Sequence, residues 1–322
     1  MELIALDQSL RELYPLDANV DFEIGDVDAT NDFEISEAQS TESAVYIPGT
    51  EFGGLIEYED SSSSTKSITM KGWSWRGLLT QWFIEPETGN DYKIVSGELH
   101  TVMRELLSPV LGGFFNVPET DTGVAVDAYQ FKLHCSVLEG LMDLLNEYGY
   151  RLKIWAERPA PGKAVVVYCE AVMIKQIEGT YDEDTGLNLR FVNNRMGINH
   201  LICWGSGELK ERQRIDLYID ADGNIGDTQY YTGFDERQGV FDYGNAESLE
   251  DLRENGAKHL KESASSKSLQ IDEITDVDLG IGDIVVGRKN DMGIKIESPI
   301  TRKILRISEG KESIEYKVKG ES

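Results

Sequence analysis

Cysteine is scarce in this chain. Only Cys135, Cys169 and Cys203 occur in 322 residues, an odd and widely spaced set with no CxxC pair. That excludes a disulfide scaffold and a Cys/His zinc site, and free buried thiols fit a chain that matures in a reducing cytoplasm. Bases are also in short supply: 31 Lys and Arg stand against 58 Asp and Glu, a net charge of −27. A uniformly basic nucleic-acid binder is excluded, and attraction to an anionic membrane is disfavoured. No stretch approaches the roughly 20 apolar residues that a spanning helix needs. The first residues, Met1-Glu-Leu-Ile-Ala-Leu-Asp7, lack a basic n-region, so no signal peptide is expected.

Chemical motifs are missing as well. No GxxxxGK[ST] occurs, and Gly205-Ser-Gly207 lacks the third glycine of a dinucleotide fingerprint. Leu279-Gly-Ile-Gly-Asp283 runs straight into a strand, which reads as a turn rather than a phosphate cradle. There is no GxSxG, and the four histidines, His100, His134, His200 and His259, are scattered. Asp220-Ala-Asp222-Gly-Asn224 opens like a calcium loop. Its sixth position is Ile225 and its twelfth Tyr231, where Gly and a bidentate Glu are required, so a hairpin turn explains it better. The expectation is no catalytic residue, no metal and no cofactor.

What is present is strand pattern and aromatic weight. Period-2 segments dominate, as in Thr50–Tyr58 and Ser67–Gly72, which read as a hairpin around the Ser61–Thr65 tip. Three amphipathic helices interrupt them. The first runs from an N-cap at Ser96 to Leu107, the second from Ser136 to a Gly149 stop, and the third from Ser248 to about Glu262. The middle of the chain is thus a helix–helix–hairpin unit between β-rich parts. Gly54–Gly72 and Lys303–Lys319 also echo each other: each is an alternating strand, a polar tip, and then a strand beginning Ser-Ile. The fold class expected is α+β, mainly β. Trp73, Trp75 and Trp82 cluster after the first hairpin, with Trp73 and Trp75 expected on one strand face. They are read either as a domain-junction core or as a subunit interface.

Pro48-Gly-Thr-Glu-Phe-Gly-Gly-Leu-Ile-Glu-Tyr58, followed by Ile68-Thr-Met-Lys-Gly-Trp-Ser-Trp-Arg-Gly-Leu-Leu79, resembles the opening module of siphophage tail-tip hub proteins. These are tail-associated structural proteins related to the central baseplate hub of contractile phages. The resemblance continues through Gly97–Arg104, Leu138–Leu145, Asn193–Gly205 and the final hairpin. It implies two tube-like split β-barrel domains with insertions: residues 1–85 for the first and 178–212 plus 275–322 for the second. An α+β insertion would occupy 86–177, and a smaller one 213–274.

The resemblance further implies a non-enzymatic homotrimer, a pseudo-sixfold ring joining the tail tube to a threefold tip in the virion, made in the host cytoplasm. Partners would be a distal tail or tube protein, a tape-measure protein and tip or receptor-binding proteins. DNA would be transient cargo, with no membrane insertion. A carbohydrate- or cell-surface-binding β protein using the tryptophans, or a hydrolase built on dispersed acids, are the alternatives. The chain stops after its closing hairpin, so a wall-degrading activity is expected on another polypeptide. Charge is uneven along the chain. The first fifty residues hold twelve acids and one base, Arg11, whereas nine bases outnumber six acids from Arg288 onward. In a ring, acidic excess is expected to line the channel.

Overall fold

The computed structural model describes residues 1–38, 42–64, 67–180, 187–194, 196–221, 223–264, 266–274, 279–289, 294–308 and 310–319. Contacts divide it into two units, Met1–Leu189 with Ile271–Ser322, and Arg190–Gln270. It is mainly β, as the sequence predicts, with four α-helices among the described residues.

The first unit opens with β1 (Ile4–Leu6), β2 (Glu12–Pro15), β3 (Asn19–Gly25), β4 (Asp32–Ala38), β5 (Ala44–Tyr46), β6 (Gly53–Ser62) and β7 (Ser67–Ser74). Alternation makes these strands: in β3, Val20, Phe22 and Ile24 are buried while Asp21 is exposed. Phe22, Phe33 and Phe52 pack under Ile35 and Met70 in one core. The β6–β7 hairpin forms as predicted, although Thr65 at its tip lies outside the described residues.

A short helix, α1 (Trp75–Leu78), follows, then β8 (Ile94–Glu98), α2 (Leu99–Leu107), β9 (Phe115–Asn116), β10 (Ala125–Gln130), α3 (Val137–Glu147), β11 (Tyr150–Glu157) and β12 (Val166–Met173). The apolar stripes of α2 and α3 close on β11 and β12 in a second core. The N-cap of α2 is not Ser96. Residues 94–98 pair with β10, and the Glu98 carboxylate accepts from Thr101 N, Thr122 N and Thr122 Oγ1, so the cap sits two residues later. Ser136 does cap α3, accepting from Glu139 N at 3.1 Å.

The chain then runs through β13 (Gln176–Thr180) and β14 (Leu187–Asn194), enters the second unit, and returns through β19 (Ser266–Ile274), which pairs with β14. In the second unit, β15 (His200–Trp204), β16 (Arg214–Ile219), β17 (Ile225–Gly226) and β18 (Gln238–Asp242) form one sheet. Leu201, Cys203 and Leu217 on one face pack against α4 (Leu249–Ser263), which Ser248 caps. This changes the domain division. Residues 200–204 were expected in the second tube-like domain, but they pair antiparallel with β16 and parallel with β18, within the smaller unit. Their apolar alternation marked a strand without saying which sheet it joins. Gln229–Tyr231 lies in a loop after β17, which pairs antiparallel with the end of β16.

Finally β20 (Ile284–Lys289), β21 (Ile294–Ser308) and β22 (Lys311–Val318) rejoin the first unit. The long β21 pairs with β20 through its first half and with β22 and β3 through its second. The result is an eleven-stranded sheet in which the C-terminal strands continue directly into the N-terminal ones. Both segments of the internal echo are hairpins of this sheet.

Candidate functional site

The tryptophans separate. Ser74 ends β7, accepting from Gly77 N at 3.1 Å and donating to Asn31 O at 2.8 Å, so the chain turns into α1 at Trp75. Trp73 and Trp75 therefore do not share a strand face. Trp75 is fully buried, against Phe114, in the core that joins the first strands to the helical insertion. Trp73 and Trp82 are half-buried against the same core. Next to Trp75, Arg76 is also buried, donating to Glu51 at 2.5 Å and to Leu152 O at 3.0 Å.

A second buried arginine shows what Leu279-Gly-Ile-Gly-Asp283 does. Arg151 of β11 donates to Asp283 Oδ1 at 2.6 Å, and Asp283 also accepts from Lys175 N and Gly280 N. A Cβ on Gly280 would lie 2.3 Å from Arg151 Nη1, so glycine is what lets the guanidinium enter. The sequence marked the turn, but the partner 132 residues away left no local signal.

The residues weighed for chemistry are structural. His100 bonds Thr120 O through Nδ1 and accepts from Ala171 N through Nε2, which satisfies both ring nitrogens in the core. His134 is exposed beside buried Cys135, whose thiol burial pushes up. Burial also raises the Cys169 thiol, and that of Cys203 to about 11, so neither is a ready nucleophile. Among the described residues no group of His, Cys, Asp and Glu is arranged to hold a metal. In the 220–227 segment, Asp220 accepts from Asn224 N and Asn224 Nδ2; Asp222 lies outside the described residues.

The most distinctive surface is the outer face of β21, β3, β4 and β7. Register aligns Arg306 with Asp21, Asp21 with Glu34, and Glu34 with Lys71, in one row across four strands. Arg306 bonds both Asp21 at 3.2 Å and Glu315 at 3.0 Å; Lys71 reaches Glu34 at 2.7 Å, and Arg302 reaches Glu23 at 3.6 Å. Hydrogen bonding to Glu315 and to Glu34 holds the Arg306 and Lys71 pKa values above their ordinary range. With Asp32 nearby, the face carries Asp21, Glu23, Asp32, Glu34 and Glu315 against Lys71, Arg302 and Arg306. It is acidic on balance, and each of its three bases is engaged by a carboxylate.

Comparison with known proteins gives the following. No family model matches the chain, and no curated protein matches it. Among solved structures, a tail protein from Neisseria meningitidis MC58 is 12% identical, covering 99% of this chain and 96% of its own, with a TM-score of 0.46. The 43 kDa tail protein of prophage MuSo2 from Shewanella oneidensis is 13% identical over 99% and 98%, with a TM-score of 0.46. A chain of the phage P2 virion baseplate is 9% identical over 100% and 99%, also with a TM-score of 0.46. The structural neighbours are phage tail and baseplate proteins. Among the described residues no helix is long and apolar enough to cross a membrane.

Proposed function

We propose that this chain is a structural hub of a phage or phage-like tail tip, a homotrimer whose tube-like modules form a pseudo-sixfold ring around the DNA path. The observation that carries the reading is the β3–β21 pairing, six residues on each strand from Val20↔Ile307 to Gly25↔Arg302. It makes a single strip of sheet from the N-terminal and C-terminal modules that the sequence motifs mark. A ring lined by six such modules needs that continuity twice over, within each chain and between chains. The modules are residues 1–85 and 178–322, with 86–177 inserted between them. The smaller insertion within the second module is redrawn to about 195–265, so that it holds the whole β15–β18 sheet.

The paired charges on the outer face suit a channel. Phosphate binding needs cations free to release counterions, and here Lys71, Arg302 and Arg306 already have carboxylate partners. Passing DNA would be repelled weakly and evenly. Trp73 and Trp82, half-buried at the module junction, are the tryptophans open to a subunit contact, whereas Trp75 is not. The neighbours would be a tube or distal tail protein, a tape-measure protein and tip proteins, and the reading is non-catalytic. Electron microscopy of the assembled chain tests it: a threefold ring with this face inward is expected. A ring with the face outward, or no ring in the presence of the tail tube, would refute it.

A further inference from the structure

His200, the first residue of β15, is buried where the sheet of the second unit meets the loop between β17 and β18. Its Nε2 lies 2.9 Å from Asp216 Oδ1 on β16, and its Nδ1 lies 2.7 Å from Glu236 Oε1 in the loop. Tyr218 stacks on the ring, with centroids 4.3 Å apart. Arg214 donates two bonds to Asp216, and Gln238 Nε2 donates to Glu236 at 2.8 Å. The titratable and charged groups that face the imidazole are thus Asp216, Arg214 and Tyr218 from β16 and Glu236 from the loop. From β18 the register brings only the uncharged Gln238. Arg237, the other charge at this end of the loop, turns its guanidinium to the Phe234 and Glu236 carbonyls.

A carboxylate only accepts hydrogen bonds, whereas a neutral imidazole has one N–H and one lone pair. Both bonds of His200 therefore exist together only on the imidazolium. Loss of its proton sets a nitrogen lone pair against a carboxylate oxygen in a buried site, and one bond has to go. Asp216 is fixed beside the ring, because β15 and β16 pair along their length and Arg214 holds its carboxylate. Glu236 hangs from a loop. We infer that His200 is a protonation switch for the 229–238 loop: charged, it clasps Glu236 to the sheet, and neutral, it lets Glu236 go. Asn199 keeps hold of the base of the loop in either state, donating to Asp235 O and accepting from Arg237 N, each at 2.8 Å. The change is therefore local and spares the sheet. The loop carries Tyr230 and Phe234, 59% and 98% exposed, so the switch sets how firmly two aromatic rings are presented to solvent. As for any histidine whose charged form gains partners on folding, the clasp is complete below the titration of the ring and lost as pH rises through it.

The test follows the full chain from about pH 5 to about pH 9.5. Nitrogen-15 shifts of the histidine rings read charge and tautomer, and solvent-exchange NMR reads the amides of residues 235–237. Both ring nitrogens of His200 are expected to be protonated wherever the loop is protected. As the ring loses its proton, protection factors of these amides, corrected for intrinsic exchange, should fall about 10-fold, the effect of one charge-assisted hydrogen bond. Those of Leu201 and Leu217 in the core should stay level, which controls for global opening. Glu236→Gln separates the switch from mere packing. Its side-chain amide can donate to the bare Nδ1 of a neutral ring, so protection should no longer follow the charge of the ring. His200→Gln, which has no proton to lose in this range, should also abolish the pH dependence; should it fail to fold, the wild-type titration and Glu236→Gln still decide. A neutral, single-tautomer His200 under a protected loop would overturn the inference, as would a ring that keeps its charge throughout. Protection that stays level while the ring titrates, or a wild-type pH dependence retained in Glu236→Gln, would overturn it equally.

Discussion

Replacing Arg151 by Met is the sharpest test of how the helical insertion is locked to the C-terminal strands. Arg151 on β11 is nearly buried, and its partner Asp283 at the start of β20 is fully buried. Methionine fills a similar volume but leaves a buried carboxylate with only the Lys175 and Gly280 amides. Removing one member of a buried pair typically costs 3–5 kcal/mol, because the survivor is desolvated without its counter-charge. The two remaining amide donors place the loss at about 3 kcal/mol, toward the low end of that range. For a unit of this size that lowers the melting temperature by roughly 6–12 °C. Hydrogen exchange should show the opening concentrated in β11, β20 and the 279–283 turn. The double change Arg151→Met with Asp283→Asn should recover part of the loss, since no charge is then stranded. Gly280→Ala should mimic the single variant, because its Cβ would occupy the guanidinium site. A shift below about 1 kcal/mol for Arg151→Met, or equal losses for the single and double variants, would refute the account.

Three further outcomes follow from the same geometry. Ser74→Ala removes the α1 cap and the bond to Asn31, so a loss of about 1–2 kcal/mol is expected by denaturant titration. Arg214, then His200, hold the Asp216 carboxyl below its ordinary 3.8; Gln238, then His200, hold that of Glu236 below its ordinary 4.5. Depressed carboxyl values stabilise above the unfolded-state values and lose that contribution as pH falls through the folded ones. Amide protection factors in the 229–238 loop, corrected for intrinsic exchange, should therefore fall as pH drops below the ordinary carboxyl values of 3.8 and 4.5. With its thiol raised to about 11 and buried under α4, Cys203 should resist iodoacetamide in the folded chain. Rapid labelling at neutral pH by mass spectrometry would contradict its placement.

Local chemistry in the sequence was enough to place most elements, and long-range pairing was not. Ser136 and Ser248 lie where their hydroxyls cap α3 and α4, because a cap and an apolar stripe are decided within a few residues. The β6–β7 and β21–β22 hairpins were legible for the same reason, as alternation on both sides of a polar tip. Trp75 was misplaced onto a strand because Trp-Ser-Trp alternates well, whereas the turn depends on Asn31, 43 residues upstream of Ser74. Residues 200–204 went to the wrong sheet because an alternating strand fits any half-buried neighbour. Phe234 could not have been found by pattern, since exposure depends on what fails to cover a residue.

The uneven charge has a structural reason in the β3–β21 register. The acid-rich front of the chain and its mildly basic end are neighbours in space, joined side by side across that register. Asp21 meets Arg306 across 285 residues of sequence, and Glu23 faces Arg302. Exposed pairs of this kind contribute little stability each, roughly 0–1 kcal/mol, so strength is not what explains them. Their effect is on register. A slip of β21 by one residue would set Ile307 opposite Asp21 and turn Arg306 toward Phe22 and the core. Opposite charges on the outer face and apolar residues on the inner one thus specify the same alignment independently. That matters most at this junction, where two strands distant in sequence must meet without a connecting turn to fix their offset. Over the full sequence acids outnumber bases by 27, which favours solubility. The charge asymmetry along the chain therefore helps encode how its two ends join.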